Sequence, residues 1–311
     1  MINHQPLFSI VTPSYNQLDW LRLCVASVRD QVDVSTNGIQ NQKSGVLPVA
    51  VEHIIQDAGS PGIEDFASEV GANFYRDGQL ISYCPFSIPN YSLTIYCERD
   101  EGMYDAINQG VARSSGEICA WLNSDEQYLE GTLAAVAIYF RSNHPPDVVL
   151  GDAVLVDAEL RPVCYRRIMV PNRWHTRLVH LHSLSCAMFF QRSALPSLPF
   201  DPRWKIIGDA VLMDYFLCAK KKISTCNELL SVYAFTGSNL SGKHAAQEHD
   251  AWHSESPWPP KFLRPLVILY NRIRRLASGG YSSFHVNTAF YGHRSNKQRL
   301  PVSAVLSGRW P

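Results

Sequence analysis

The sequence predicts an α/β protein built on a doubly wound layer, and three observations predict it. Short apolar runs alternate with segments of helical period up to about residue 140, the pattern of a sheet with helices on both faces. These runs stop abruptly at polar or acidic residues, as Ala120-Trp121-Leu122 does before Asn123-Ser124-Asp125-Glu126. A buried parallel strand reads this way where its carboxyl end opens into a site. The 311 residues are 46% hydrophobic, enough for one full core plus an appendage.

The elements follow in order. Leu7 to Thr12 is an apolar run ended by Pro13, a first strand, with Ser14-Tyr15-Asn16 as its loop. Leu18, Leu21, Val25 and Val28 carry helical spacing. Residues 33–48 are polar and Gly-containing, a loop or insertion. Residues 49–56 form a second strand stopping at Asp57-Ala58-Gly59-Ser60, and a helix covers 63–70. The stretch 76–90, with Pro85 and Pro89, reads as irregular. Strands at 93–97 and 117–122 flank a helix over 104–112, and another helix spans 129–140. Beyond it, 147–156 suggests further strands or a hairpin, and 187–190 is a further buried run. Residues 209–219 form a helix with a core face of Val211, Leu212, Tyr215, Phe216 and Cys218. Residues 261–276 form a basic, apolar helix, and from Tyr281 no period is evident.

Composition narrows the function classes. Lys plus Arg and Asp plus Glu balance at 28 each, so a polyanion such as nucleic acid is not the expected partner. No apolar stretch approaches the ~20 residues of a membrane span. The first residues lack the basic head and apolar core of a signal peptide, and the 8 Cys form no C-x-x-C pair. Reduced, mostly buried thiols in a cytoplasmic protein are the expectation.

In a parallel sheet the four polar strand ends lie side by side, so carboxylates, hydroxyls and glycine converge on one crevice. Asp57 can accept hydrogen bonds from a base or ribose, and Gly59 admits a close backbone. Asp and Gly also end strands simply because they favour turns. Four such loops in register favour function. Asp125 with Glu126 suits a hard cation and a diphosphate, although an Asp after a strand serves equally as a helix N-cap.

At these residues the chain resembles the family 2 glycosyltransferases, which carry the GT-A nucleotide-sugar-binding fold. Val11 to Asn16 is similar to the family's first-strand motif, and Asp57-Ala58-Gly59-Ser60 to its D-x-G-S motif. Glu98-Arg99-Asp100-Glu101-Gly102-Met103-Tyr104-Asp105-Ala106-Ile107-Asn108-Gln109-Gly110 resembles a signature of a bacterial cell-wall and surface-polysaccharide branch. Leu122 to Glu126 occupies the place of the D-x-D motif, with Asn123 for its first Asp and Glu126 for the Asp that usually follows. The likeness covers roughly residues 7 to 235.

The resemblance implies a mixed Rossmann-like sheet with a C-terminal helical extension. It implies a catalytic region over 1–240, with nucleotide-sugar binding over 1–126 and the acceptor side over 127–240, and an extension over 241–311. Asp57 would hold the nucleoside, with Pro13 and Tyr15 lining its pocket. Asp100, Tyr104, Asn108, Asn123 and Ser124 would contact the donor. Asp125 would bind Mn²⁺ or Mg²⁺ through the diphosphate. The segment from Phe200 to Asp214 resembles the acceptor side, where Asp209 matches the general base of an inverting transfer; as a helix-opening residue it also suits an N-cap. Asp214, its rival, reads as a solvent-facing helix residue. Arg192 suits either a phosphate or the surface, and His180 and His182 an acceptor pocket or a structural place.

The expected reaction moves a sugar from a nucleotide-diphosphate donor to a hydroxyl of a glycan or lipid-linked acceptor, in bacterial surface-polysaccharide synthesis. The helix over 261–276 could lie on an anionic membrane or pack on the catalytic domain with its arginines in water. A nucleotidyltransferase would need a Gly-rich basic loop after the first strand, where this chain has Ser14-Tyr15-Asn16-Gln17-Leu18. A non-catalytic sugar-nucleotide-binding protein would have no need of both Asp125 and Asp209.

Overall fold

The computed structural model describes residues 6–32, 49–84, 88–237, 243–293 and 295–310. The expected loop at 33–48 therefore lies outside the described residues. In chain order the first half runs β1 (Phe8–Ser14), α1 (Leu18–Arg29), β2 (Val51–Asp57) and α2 (Ile63–Val70). It continues through β3 (Asn73–Arg76), β4 (Gln79–Ser82), β5 (Tyr91–Cys97), α3 (Met103–Arg113) and β6 (Ile118–Trp121). The stretch read as irregular thus contains a small antiparallel pair, β3 with β4. Its turn is made by Asp77 and Gly78, both at positive φ, a conformation glycine adopts freely.

Strands β5, β2, β1 and β6 are parallel neighbours, with Ser14 opposite Asp57 and Asp57 opposite Cys97. Their carboxyl ends converge on one edge, as the alternation of strands and helices required. Phe8, Ile10, Ile55 and Ile95 are buried between the helix layers.

The second half departs from an all-parallel sheet. It comprises β7 (Gln127–Tyr128), α4 (Thr132–Phe140), β8 (Val148–Val156), β9 (Pro162–Arg166), α5 (Arg173–Leu178), β10 (Met188–Gln191), α6 (Gly208–Cys218) and β11 (Ile223–Ala234). Strand β10 runs antiparallel to both β6 and β8, while β11 is parallel to β8. One mixed sheet results, in the order β4-β3-β5-β2-β1-β6-β10-β8-β11-β7, with β9 on β8. Where the sequence suggested more than one strand over 147–156, a single long strand, β8, runs from Val148 to Val156. The hairpin partner of β8 is β9.

Past residue 240 lie α7 (Lys243–Glu255), α8 (Arg264–Ala277) and an antiparallel hairpin of β12 (Ser283–Gly292) and β13 (Ser295–Ser307). The extension is therefore part strand, where only a helix was expected. The hairpin locks onto the main sheet and α1. Tyr291 exchanges two hydrogen bonds with the Gln127 side chain, at 2.9 and 3.0 Å. Arg299 forks onto both carboxylate oxygens of Asp30, at 2.7 and 2.8 Å. Bidentate geometry of this kind fixes orientation as well as distance.

Helix α8 is inverted. Its inner face carries Val267, Asn271 and the guanidinium of Arg275, all buried. Leu266, Leu269, Ile273 and Leu276 face outward and are 55–70% exposed. All eight cysteines are free thiols and six are buried, as their places in apolar runs implied. Among the described residues no helix is long and apolar enough to cross a membrane.

Candidate active site

A cavity of about 1080 Å³ opens at the carboxyl edge of β1 and β6. Of the residues singled out in the sequence, Pro13, Tyr15, Asp100, Tyr104, Asn123, Ser124, Asp125 and Asp209 line it. His180 and His182 line it as well. Gln17, Trp121, Ser183 and Ser185 join them, and nothing local in the sequence marks these as site residues.

The β1 and β2 loops brace one another. The Asp57 carboxylate accepts from the backbone N–H groups of Gly59 and Ser60, at 2.9 and 2.6 Å, and from the Ser60 hydroxyl at 2.7 Å. Ser60 Oγ in turn accepts from the Asn16 N–H. Gly59, at φ 97°, completes the turn. Asp57 is fully buried in this arrangement, so it shapes the Tyr15–Asn16 loop and is not on the cavity wall.

The acidic turn after β6 is the electrostatic centre. Glu126 Oε2 accepts from the Asn123 N–H at 2.8 Å, and Oε1 accepts from the Ser185 hydroxyl at 3.2 Å. Glu126 therefore faces back into the protein, while Asp125 faces the cavity. Burial raises both carboxyls well above the usual carboxylate range, and the Asp125 charge raises Glu126 further. Among the described residues neither forms an ion pair. Asn123 Oδ1 is buried without a hydrogen-bond partner among the described residues. An orphaned acceptor beside an unpaired carboxylate is a donor set that fits Mg²⁺ or Mn²⁺, which favour oxygen ligands and retain waters. Ser124 Oγ is occupied with the Gln17 side chain.

Helix α3 carries the link to the opposite wall. Tyr104 and Asn108, four residues apart, share its buried face. The Tyr104 hydroxyl donates to the Ile206 carbonyl and accepts from the Asp209 N–H, both at 3.1 Å. Its ring stacks on Phe200, 4.7 Å between centroids. A Cβ at Gly208 would meet that ring at 2.7 Å, so the close approach requires glycine. Asn108 holds both the N–H and the carbonyl of Phe200 with its amide, at 3.0 and 2.7 Å. It is a tie between α3 and the segment before α6 and does not line the cavity; its expected donor contact is corrected accordingly. Asp100 accepts from the Gly102 N–H at 2.9 Å and has its carboxyl raised by burial.

Asp209 stands in the first turn of α6, one oxygen accepting from the Ala210 N–H at 2.8 Å. It is only half-buried by surface, yet the surrounding walls desolvate it and push its carboxyl up to about 6. The loop before it is clamped from α7. The Glu248 carboxylate accepts from the N–H groups of Lys205, Ile206 and Ile207, at 3.0, 2.9 and 3.2 Å.

Two further expectations are corrected. Asp214 is not solvent-facing: it is buried and paired with Arg173 and Arg177, at 2.8 and 3.1 Å. Arg192 is a strut, donating to the Gly116 carbonyl and the Ser114 hydroxyl, at 2.5 and 2.6 Å. Eight buried side-chain polar atoms among the described residues lack a hydrogen-bond partner, and five of them belong to residues lining the cavity: Ser14, Trp121, Asn123, Ser183 and Arg275. Unmade hydrogen bonds are costly, so their gathering in one cavity points to a polar ligand.

Comparison with known proteins agrees with this geometry. The family model described as Glycosyl transferase family 2 matches residues 89–195. A PGL/p-HBAD biosynthesis glycosyltransferase of Mycobacterium bovis (strain BCG / Pasteur 1173P2) is 29% identical over 208 residues, 66% of this chain and 67% of that protein. The minor teichoic acid biosynthesis protein GgaB of Bacillus subtilis (strain 168) is 23% identical over 257 residues, 80% of this chain but 25% of its own length. The structure of S. aureus TarS 1-349 in complex with UDP-GlcNAc superposes with a TM-score of 0.50 at 14% identity, over 76% of this chain and 60% of that one. That likeness speaks for the fold alone. Residues 89–195, from the third parallel strand through the acidic turn, match the family 2 glycosyltransferase model, and the mixed sheet has the GT-A fold.

Proposed function

We propose that this chain is an inverting glycosyltransferase that moves a sugar from a nucleotide-diphosphate donor to a hydroxyl of a glycan or lipid-linked acceptor. The observation that carries the reading is the presence of two desolvated carboxyls, Asp125 and Asp209, on different walls of one cavity. The Asp125 side, with Tyr15, Asn123 and Asp100, suits the donor. Asp125 and Asn123 Oδ1 would hold Mn²⁺ or Mg²⁺, which when bound neutralises charge developing on the leaving diphosphate. Asp57 acts on the nucleoside pocket through the loop it braces.

Asp209 takes the proton of the acceptor hydroxyl as its oxygen attacks the anomeric carbon. The bond to the diphosphate oxygen breaks on the opposite face, so the configuration inverts. A base held at about 6 is ionised at neutral pH and is a stronger proton acceptor than an ordinary carboxylate. Tyr104 and Glu248 set its position through the backbone.

The relatives are named for PGL/p-HBAD and minor teichoic acid biosynthesis, which favours a surface polymer as the acceptor's class. Outward Leu266, Leu269, Ile273 and Leu276, flanked by exposed Lys261 and Arg264, suit an anionic bilayer surface on the cytoplasmic side. The reading is tested by incubating the protein with UDP-, GDP- and dTDP-sugars and Mn²⁺ and assaying free nucleoside diphosphate. One donor is expected to be consumed, with Asp125→Ala inactive. Release from none of them, or equal release by Asp125→Ala, overturns it.

A further inference from the structure

The donor and base occupy only part of the cavity. The wall formed by α8, β9 and residues 179–185 has a different chemistry. Arg166 and Arg275 line it and are 7% and 5% exposed. Neither has a carboxylate partner among the described residues. Arg166 donates to the His182 carbonyl and to His182 Nδ1 and lies over the Trp310 ring, 5.4 Å from its centroid. Arg275 donates to the carbonyls of Gly280 and Gly308, and its Nε has no hydrogen-bond partner among the described residues. The Ser183 hydroxyl beside them is likewise buried and unpaired. Arg272, exposed on the same helix, adds a third positive charge to the cavity lining. Buried cations are ordinarily matched by an anion, because removing them from water is costly.

His175, His180 and His182 also meet here, with ligand atoms within 4.8 Å of one another. A metal ion does not suit them. His182 Nδ1 accepts from Arg166 and its Nε2 lies against the Asn271 amide, so neither nitrogen is open. His175 Nδ1 is bonded to the His180 carbonyl at 3.0 Å. Two arginines next to the cluster repel a cation, and burial together with their charge holds these histidines neutral. The field at this wall is made for negative charge.

We propose that Arg166, Arg272 and Arg275, with Ser183, bind a phosphate or diphosphate group carried by the acceptor. The identification of the ligand as acceptor rests on the glycosyltransferase reading above. The group is recognised while the hydroxyl to be glycosylated reaches Asp209. Guanidinium forks match phosphate oxygens in geometry and charge. The donor's own diphosphate is assigned to Asp125 in that reading.

The probe is inorganic pyrophosphate in metal-free buffer, where the acidic wall around Asp125 repels anions and only the arginine wall can hold one. Calorimetry on the whole chain is expected to show binding, weakened about tenfold or more by Arg272→Ala and by Arg166→Gln. Binding of UDP with Mn²⁺ is expected to stay within about twofold in both variants. Arg272 is exposed, so its variant keeps the test valid if Arg166→Gln fails to fold. No pyrophosphate binding by the wild type, or equal binding by the folded variants, overturns the proposal. Parallel loss of UDP and pyrophosphate affinity assigns the arginines to the donor and overturns it too. If UDP does not bind at all, the donor reading fails, while the pyrophosphate result still decides the anion site. Farnesyl diphosphate separates the sources. Binding tighter than pyrophosphate supports a lipid-borne group, and equal binding supports a phosphate carried on a polar chain.

Discussion

Replacing Asp209 by Asn separates the energetic and the chemical roles of one carboxyl. The wild-type group is raised from an ordinary 3.8 to about 6, chiefly by burial. A raised folded value means that its contribution to stability is present below pH 3.8 and is lost as pH rises through 6. At pH 8 the ionised form therefore burdens the fold by up to ~3 kcal/mol, from two units at about 1.4 kcal/mol each. Asn keeps an oxygen to accept from the Ala210 N–H, now 2.8 Å away, but carries no charge. Asp209→Asn should raise the melting temperature at pH 8 by about 5 °C and leave it nearly unchanged at pH 4. Scanning calorimetry at the two pH values measures this. Transfer, followed as nucleoside diphosphate released in the presence of acceptor, should fall by about 100-fold or more, the usual contribution of a general base. The wild-type rate should rise with pH through about 6. No gain in stability at pH 8 would refute the desolvation argument, and undiminished transfer would refute the assignment of the base.

Asp125→Ala should weaken UDP binding in the presence of Mn²⁺ by about tenfold or more and leave metal-free binding little changed; calorimetry with and without the ion compares the two. Glu248→Ala deprives the N–H groups of Lys205, Ile206 and Ile207 of their shared acceptor. It should lower kcat at least tenfold while UDP affinity holds, and Glu248→Gln should recover less than half of the loss, since one amide oxygen cannot replace two carboxylate oxygens; equal kcat in all three proteins would remove the clamp. Leu266→Asp with Ile273→Asp should leave the melting temperature within a degree or two, because both side chains face outward. The double variant should no longer float with phosphatidylglycerol vesicles in a density gradient, and unchanged flotation would rule out α8 as the contact.

The parallel half of the sheet was legible because buried strands are short apolar runs and the residues that stop them are distinctive. The convergence of Ser14, Asp57, the Glu98–Gly102 loop and Asn123 followed from parallel order alone. Strand β11 was missed because its alternation is broken: the register with β8 shifts between Cys226 and Leu229 and again before Ser231. The hairpin of β12 and β13 was missed because a half-exposed pair gives only a weak period. Helix α3 shows how far spacing goes. It puts Tyr104 and Asn108 on one face but does not say what that face meets, and Asn108 meets the Phe200 backbone instead of a donor. The same limit applies to α8, whose stripe of Leu and Ile was plain, whereas only packing reveals that the stripe points out. Glu248 and Arg166 act across long stretches of chain and leave no local trace.

The grip of Glu248 on the loop before Asp209 bears on how such enzymes diversify. The segment that supplies the grip also supplies, through α8, Arg272 and Arg275 of the arginine wall. A recombination event that exchanged everything past residue 240 would replace those two arginines and the clamp on the loop before Asp209, the proposed base, in one move. On the proposed reading, new acceptor preferences could then be inherited together with a correctly set Asp209, and a chimaera cut between α7 and α8 would break that inheritance.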